Sequence, residues 1–219
     1  MNGMSWVRFV LGDKNAYNVW NMQTGKFIVL YGPNNIGKST QVRLLARSLE
    51  EKGKKVVVIK YPVYDLEPTG PFINEVLRRG KQVSHLELQQ AFAQNRRDYE
   101  PQLRKLLSEG FWVISEDYRG TGIAWGVVSG VPLEILEDIN DDLMNEDFIV
   151  MMDGERFIQA IETTHINEKD DARWQKGREV HLTLANRYGW PIVSANQTVE
   201  NVRTDIFKLI LARFESELL

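Results

Sequence analysis

The chain is predicted to be an α/β protein, with a five-stranded parallel sheet, helices on both faces and a short lid. Three observations carry that prediction. Five short and nearly continuous apolar runs recur along the 219 residues, helix-compatible segments separate them, and a glycine-rich loop lies between the first run and the first helix. Strands buried on both faces read as unbroken apolar runs, and parallel strands need crossover helices.

The first strand is Phe27, Ile28, Val29 and Leu30, ending at Tyr31. From Thr40 a helix follows, with Val42, Leu45, Ala46 and Leu49 on its apolar face. The charged stretch 50–55 breaks that pattern, and Val56 to Ile59 form a β-branched second strand. Helical segments over 70–80 and 84–109 lead to a third strand, Phe111 to Ser115, bounded by Gly110 and by polar residues. Runs at 148–152 and 191–194 complete the sheet. Residues 1–26 read as an N-terminal arm or hairpin, since Trp6, Val7, Phe9 and Val10 are strand-like before the turn-like 12–15. Met4 is a second candidate start, and the domain proper is expected over 27–219.

Residues 32–40 read GPNNIGKST, placing Gly32, Gly37, Lys38 and Ser39 at the spacing of a phosphate-binding loop between a strand and a helix. Unpaired N–H groups and the positive end of the helix dipole suit a phosphate, here through Gly32, Pro33, Asn35, Ile36, Gly37, Lys38, Ser39 and Thr40. Lys38 would bridge β- and γ-phosphates, and Ser39 would ligate magnesium. The fold class is therefore a P-loop NTPase and the first ligand a nucleotide. Kinases, GTPases, motors and transport ATPases share the loop, so the fold does not choose among them. No Asn-Lys-x-Asp segment is present to read guanine, which argues against a GTPase switch.

Composition narrows the class further. A content of 43% hydrophobic and 26% charged residues is that of a globular protein, and no apolar stretch approaches the roughly 20 residues that span a bilayer. With no cysteine there is no disulfide or thiolate site, and the N-terminus lacks the basic flank and apolar core of a secretory signal, so a cytoplasmic enzyme is expected. A net charge of −3 gives no general attraction to a nucleic-acid polymer, leaving a small molecule as partner.

Beyond the loop, three segments carry chemistry. Phe92 and Arg96 stand four apart on one helix face, where an aromatic plane and a guanidinium can meet one ligand such as a nucleobase; a core phenylalanine beside a solvated arginine is the plainer alternative. Glu116 stands past the third strand at the edge where phosphates should lie, placed to hold magnesium through water or to orient an attacking oxygen, though it could merely pair with a neighbouring cation. The polar stretch 163–173 is the candidate lid, with His165, Lys169 and Arg173 as its potential cations.

Together with Lys60, Tyr61 and Pro62, the turn 67–70, the helix segment 92–97 and the segment 116–125, this order of motifs resembles the thymidylate kinase family from about Lys26 to the C-terminus. The resemblance implies ATP-dependent phosphorylation of dTMP to dTDP with Mg2+, in a homodimer. It implies that Phe92 and Arg96 hold thymine, that Thr121 and Gly122 lie near the base, that Tyr61 adjoins the acceptor, and that Trp125 crowds the sugar 2′ position. It implies Glu116, Lys38, Lys169 and Arg173 as the catalytic set, with Ser39 and Glu116 on the metal.

The sequence departs from the family at three places. The acid that meets the sugar 3′-hydroxyl is Asn34, which bonds without charge assistance. The arginine of the Asp-Arg-Tyr segment is Asp117, and the arginine expected after the proline turn is Tyr64. A dianionic acceptor needs a replacement cation, for which Arg119, Lys60, Arg97 or a lid cation are candidates. Otherwise the acceptor carries no phosphate, as in a deoxynucleoside kinase, or the chain is a catalytically silent nucleotide-binding relative.

Overall fold

A computed structural model describes residues 25–157, 167 and 170–218. The five expected strands are β1 (Phe27–Tyr31), β2 (Val56–Lys60), β3 (Trp112–Glu116), β4 (Phe148–Asp153) and β5 (Ile192–Ser194). They form one sheet in the order β2-β3-β1-β4-β5, every neighbouring pair parallel. Reversal of strand order around β1 opens a crevice at the carboxyl edge, where α/β folds bind ligands.

The helices are α1 (Lys38–Glu50), α2 (Thr69–Arg78), α3 (His85–Ser108), α4 (Arg119–Val128), α5 (Leu133–Asp138), α6 (Asp171–Tyr188), α7 (Val199–Arg213) and α8 (Glu215–Leu218). On one face of the sheet Leu45 and Leu49 of α1 pack with Ile206 and Ile210 of α7 over Ile28, Leu30 and Ile114. On the other, Leu103 of α3 and Ala185 of α6 cover Phe27, Val29 and Val113. All five residues of β1 are fully buried, which is why its sequence shows no alternation.

Caps fix several boundaries. Ser84 Oγ accepts from Glu87 N at the start of α3, Asp170 accepts from Ala172 N and Arg173 N at the start of α6, and Gly189 ends α6 in the left-handed region. The first helix begins at Lys38, two residues before the expected Thr40, so Lys38 and Ser39 belong to its opening turn. The third strand includes Glu116, where a position just beyond it was expected. Most of the motif segment 116–125, to which the sequence assigned no element, belongs to helix α4. Its glycines are poor helix formers, but seven of its ten residues are buried, and packing overrides propensity. Residues 1–24 of the expected arm, and 163–166, 168 and 169 of the expected lid, lie outside the described residues.

Candidate active site

The loop between β1 and α1 is held in shape by its backbone. Gly32 has φ +146, and a Cβ there would stand 2.5 Å from the Met152 carbonyl oxygen; Gly37 has φ +92 and opens α1. Neither position accepts a side chain without strain. Lys38 is buried, and its Nζ donates to the carbonyls of Gly32 at 2.8 Å and Pro33 at 2.9 Å. Its third neighbour is the Asp117 carboxylate at 3.7 Å. From α6, Trp174 Nε1 donates to the Asn34 carbonyl at 2.7 Å, while Phe157 N donates to the Asn35 carbonyl at 2.7 Å. Ile36 packs into the core, so it shapes the loop from beneath.

A cavity of about 340 Å³ opens directly on this loop, a volume suited to a small ligand. Asn34, Asn35, Gly37, Lys38, Ser39 and Thr40 form one wall. The floor is Glu116, Asp117 and Tyr118 at the end of β3. Opposite stand Phe92 and Arg96 of α3, with Thr121, Gly122 and Trp125 of α4 beside them and Tyr61 closing the side. Residues far apart in sequence, from Asn34 to Asn167, thus converge on one space, because every contributing strand delivers its successor loop to the same edge.

Charge in the floor is unequal between its two acids. Burial works against ionisation of Glu116, but the charges of Lys38 and Lys60, with hydrogen bonds from Lys60 and Ser39, hold its carboxyl below the ordinary range. Lys60 Nζ lies 2.8 Å from Glu116 Oε1. Asp117 is pushed up by burial, against the pull of Lys38 and with a further push from Glu116, and its Oδ1 accepts from Thr121 Oγ1 at 2.7 Å. Asp117 has φ +64, uncommon for a residue with a side chain and a mark of local strain at a site. An ionised Glu116 against the Ser39 hydroxyl is an oxygen pair that fits Mg2+, which takes few protein ligands and completes its shell with water and phosphate.

The wall formed by α3 and α4 is closely packed. Arg96 is buried, and burial lowers its pKa. Its Nη1 donates to Asn140 Oδ1 at 2.9 Å, while a Cβ on Gly122 would fall 2.4 Å from its Nη2. Trp125 is held by His181, ring to ring at 5.9 Å, and by Gly177, where a Cβ would stand 2.5 Å from the indole. Asn140, Gly177 and His181 carry no sequence motif; they are partners chosen by three-dimensional proximity.

Two sequence candidates are placed elsewhere. Arg119 does not line the cavity: its Nη2 lies 2.6 Å from Glu146 Oε2 and 2.8 Å from Asn145 Oδ1. Glu146, buried beneath it, draws the guanidinium away from the crevice. Arg173 also turns aside, its Nη2 donating to Ser129 Oγ at 2.7 Å and its Nε to Asn167 Oδ1 at 3.0 Å. Lys169 and His165 lie outside the described residues. Arg78, Leu77, Tyr118, Phe157 and Asn167 line the cavity without having been singled out in the sequence. Only Arg78 had a signal, as a basic residue in the last turn of a short amphipathic helix, and that signal has many commoner meanings.

A phosphate-binding loop facing an aromatic and cationic cleft across a carboxylate floor defines a P-loop phosphotransferase with a nucleotide substrate. The thymidylate kinase family model matches residues 30–206. A probable thymidylate kinase of Thermococcus onnurineus is 33% identical over 203 residues, covering 84% of this chain and 96% of that one. The thymidylate kinase of Nitrosospira multiformis is 30% identical over 200 residues, covering 85% and 97%. The solved structure of the Candida albicans thymidylate kinase superposes with a TM-score of 0.73 at 21% identity, over 86% of this chain and 92% of that one, and so shares the fold. The chain belongs to the thymidylate kinase family.

Proposed function

We propose that the chain transfers the γ-phosphoryl group of ATP to dTMP, forming dTDP. The observation that carries this is continuity: one cavity joins the phosphate-binding loop to Phe92 and Arg96, so donor and acceptor can lie end to end across Glu116. Loop amides and Lys38 would hold the β- and γ-phosphates, which requires Lys38 to exchange the Gly32 and Pro33 carbonyls for phosphate oxygens. Ser39 and Glu116 would hold Mg2+, which when bound neutralises charge on the transferring group. Phe92 would stack on thymine and Arg96 bond its edge, Asn34 would meet the sugar hydroxyl, and Tyr61, Thr121, Gly122 and Trp125 would enclose the deoxyribose and base. These contacts align the acceptor oxygen with the γ-phosphorus, and alignment with charge neutralisation supplies most of the rate in phosphoryl transfer. Lys169 and Arg173 are proposed to add charge when the segment 163–173 closes and excludes water, which for Arg173 requires release from Ser129.

A homodimeric, cytoplasmic enzyme agrees with the family and with a chain that has no cysteine. No helix among the described residues is long and apolar enough to cross a membrane. The test is a coupled assay with Mg-ATP and dTMP or thymidine as acceptor, with sedimentation on the same preparation. Turnover of dTMP supports the reading, and turnover of thymidine alone overturns it.

A further inference from the structure

Among the described residues, the cavity presents four cationic side chains, Lys38, Lys60, Arg78 and Arg96, against the carboxyls of Glu116 and Asp117. Lys38 is tied to the phosphate-binding loop, and Arg96 to Asn140 deep in the base-facing wall. We infer that the other two, Lys60 and Arg78, together form the anion site that receives the acceptor's own monophosphate, an assignment that rests on the kinase reading above.

The two cations end successive elements, Lys60 closing β2 and Arg78 closing α2. Lys60 is the last residue of β2, in register with Glu116, and its side chain is 57% exposed at the cavity mouth. One of its three donors goes to Glu116, which leaves an ammonium able to bridge that carboxylate and a phosphate oxygen. Burial disfavours its charge, but Glu116 more than compensates and keeps it protonated. Arg78 ends α2, with its guanidinium 4.7 Å from the Tyr64 ring centroid and its Nη1 3.3 Å from Asn74 Oδ1. A guanidinium held this way can exchange its present partners for two phosphate oxygens, the bidentate geometry that suits a phosphate.

Placement relative to the base is set by one buried amide. Asn95, one residue before Arg96, accepts from Val63 N at 2.8 Å and donates to Val63 O and Thr69 Oγ1, both at 3.0 Å. The loop that follows Lys60 and the first turn of α2, whose last residue is Arg78, are therefore pinned to the helix carrying Phe92 and Arg96. The other basic candidates do not line the cavity: Arg97 is engaged with Asp142, Arg119 with Glu146, and Arg173 with Ser129 and the cavity-lining Asn167.

The experiment compares equilibrium binding of dTMP and of thymidine to the full chain, before and after substitution. In the unsubstituted protein the phosphate should tighten binding by at least about 100-fold. Lys60→Met and Arg78→Met should each weaken dTMP by about 10- to 100-fold while thymidine and ATP change by less than about threefold, as expected when one charged hydrogen-bonding partner is lost. Lys60→Arg should recover most of the lost affinity. Equal weakening of dTMP and thymidine, or no weakening of dTMP, overturns the assignment; retained ATP binding shows that the variants are folded. An unsubstituted protein that binds thymidine but not dTMP overturns the kinase reading itself, and is seen before any substitution is made.

Discussion

The donor and acceptor halves of the site are built by different means. The donor half is local: residues 32–40 form one loop, its shape set by backbone conformation and its cation bonded to the loop's own carbonyls. The acceptor half is assembled from β2, α2, α3, β3 and α4, and its shape depends on residues such as Asn95, Asn140 and Gly177 that touch no expected ligand. A backbone-built site tolerates few residue changes and keeps a readable spacing. A side-chain-built site can lose an anchor at one position and recover it from another element.

That contrast predicts separable failures. Lys38→Met should lower kcat by about 10²- to 10³-fold, the scale for losing one preorganised charge donor, while dTMP affinity stays nearly unchanged. Arg96→Met should do the converse, raising the KM for dTMP by about 10- to 100-fold with a smaller effect on ATP. Steady-state kinetics with each substrate varied separates the two. If Arg96→Met raised both KM values equally, the halves would not be independent.

The acceptor wall should also respond to acid more than the donor loop does. His181, behind Trp125, is fully buried with its Nδ1 2.7 Å from the Gly177 carbonyl, and burial lowers its pKa to about 4. An unfolded histidine takes up its proton near pH 6.5. The folded state therefore binds fewer protons between these values. Its stability from this group is intact above about pH 6.5, falls by about 1.4 kcal/mol per pH unit below that, and is lost by about pH 4, roughly 3 kcal/mol in all. Urea unfolding at pH 7 and pH 4.5 should show this loss, reduced in His181→Gln. A smaller effect, about 1 to 3 kcal/mol, is expected for Gly177→Ala, whose Cβ would stand 2.5 Å from the Trp125 ring. Its KM for dTMP should rise as the indole moves, while ATP binding is retained.

How much was legible follows the same division. The five strands, the helix pattern and the loop could be read because a doubly covered parallel sheet and a nucleotide loop both write themselves as contiguous residues. Phe92 with Arg96, and Glu116, were readable from helix spacing and from position at a strand end. Arg119 was misplaced because its partner, Glu146, lies 27 residues away and nothing local announces the pair. Thr121, Gly122 and Trp125 line the cavity, but the helix that carries them was not legible, since the glycines of α4 signal a break unless the packing around them is known. Arg78 was passed over for a similar reason: a basic residue at a helix end is usually solvated, and only the fold turns this one inward.

Two adjacent arginines on α3 offer the finest test, because they differ by one position in sequence and by a whole environment in space. Arg96 is 4% exposed and faces the cavity, whereas Arg97 reaches outward to grip Asp142 with two 2.8 Å hydrogen bonds and the Ile139 carbonyl at 2.6 Å. The Asp142 hydrogen bonds raise the Arg97 pKa and lower that of Asp142, yet water screens this largely exposed pair. Arg97→Ala should thus cost no more than about 1 kcal/mol and change the KM for dTMP by less than about twofold. Thermal melts and the coupled assay on one preparation measure both. A large rise in KM would mean that the outer face of α3 also governs the acceptor, and that the cavity as described is only part of its site.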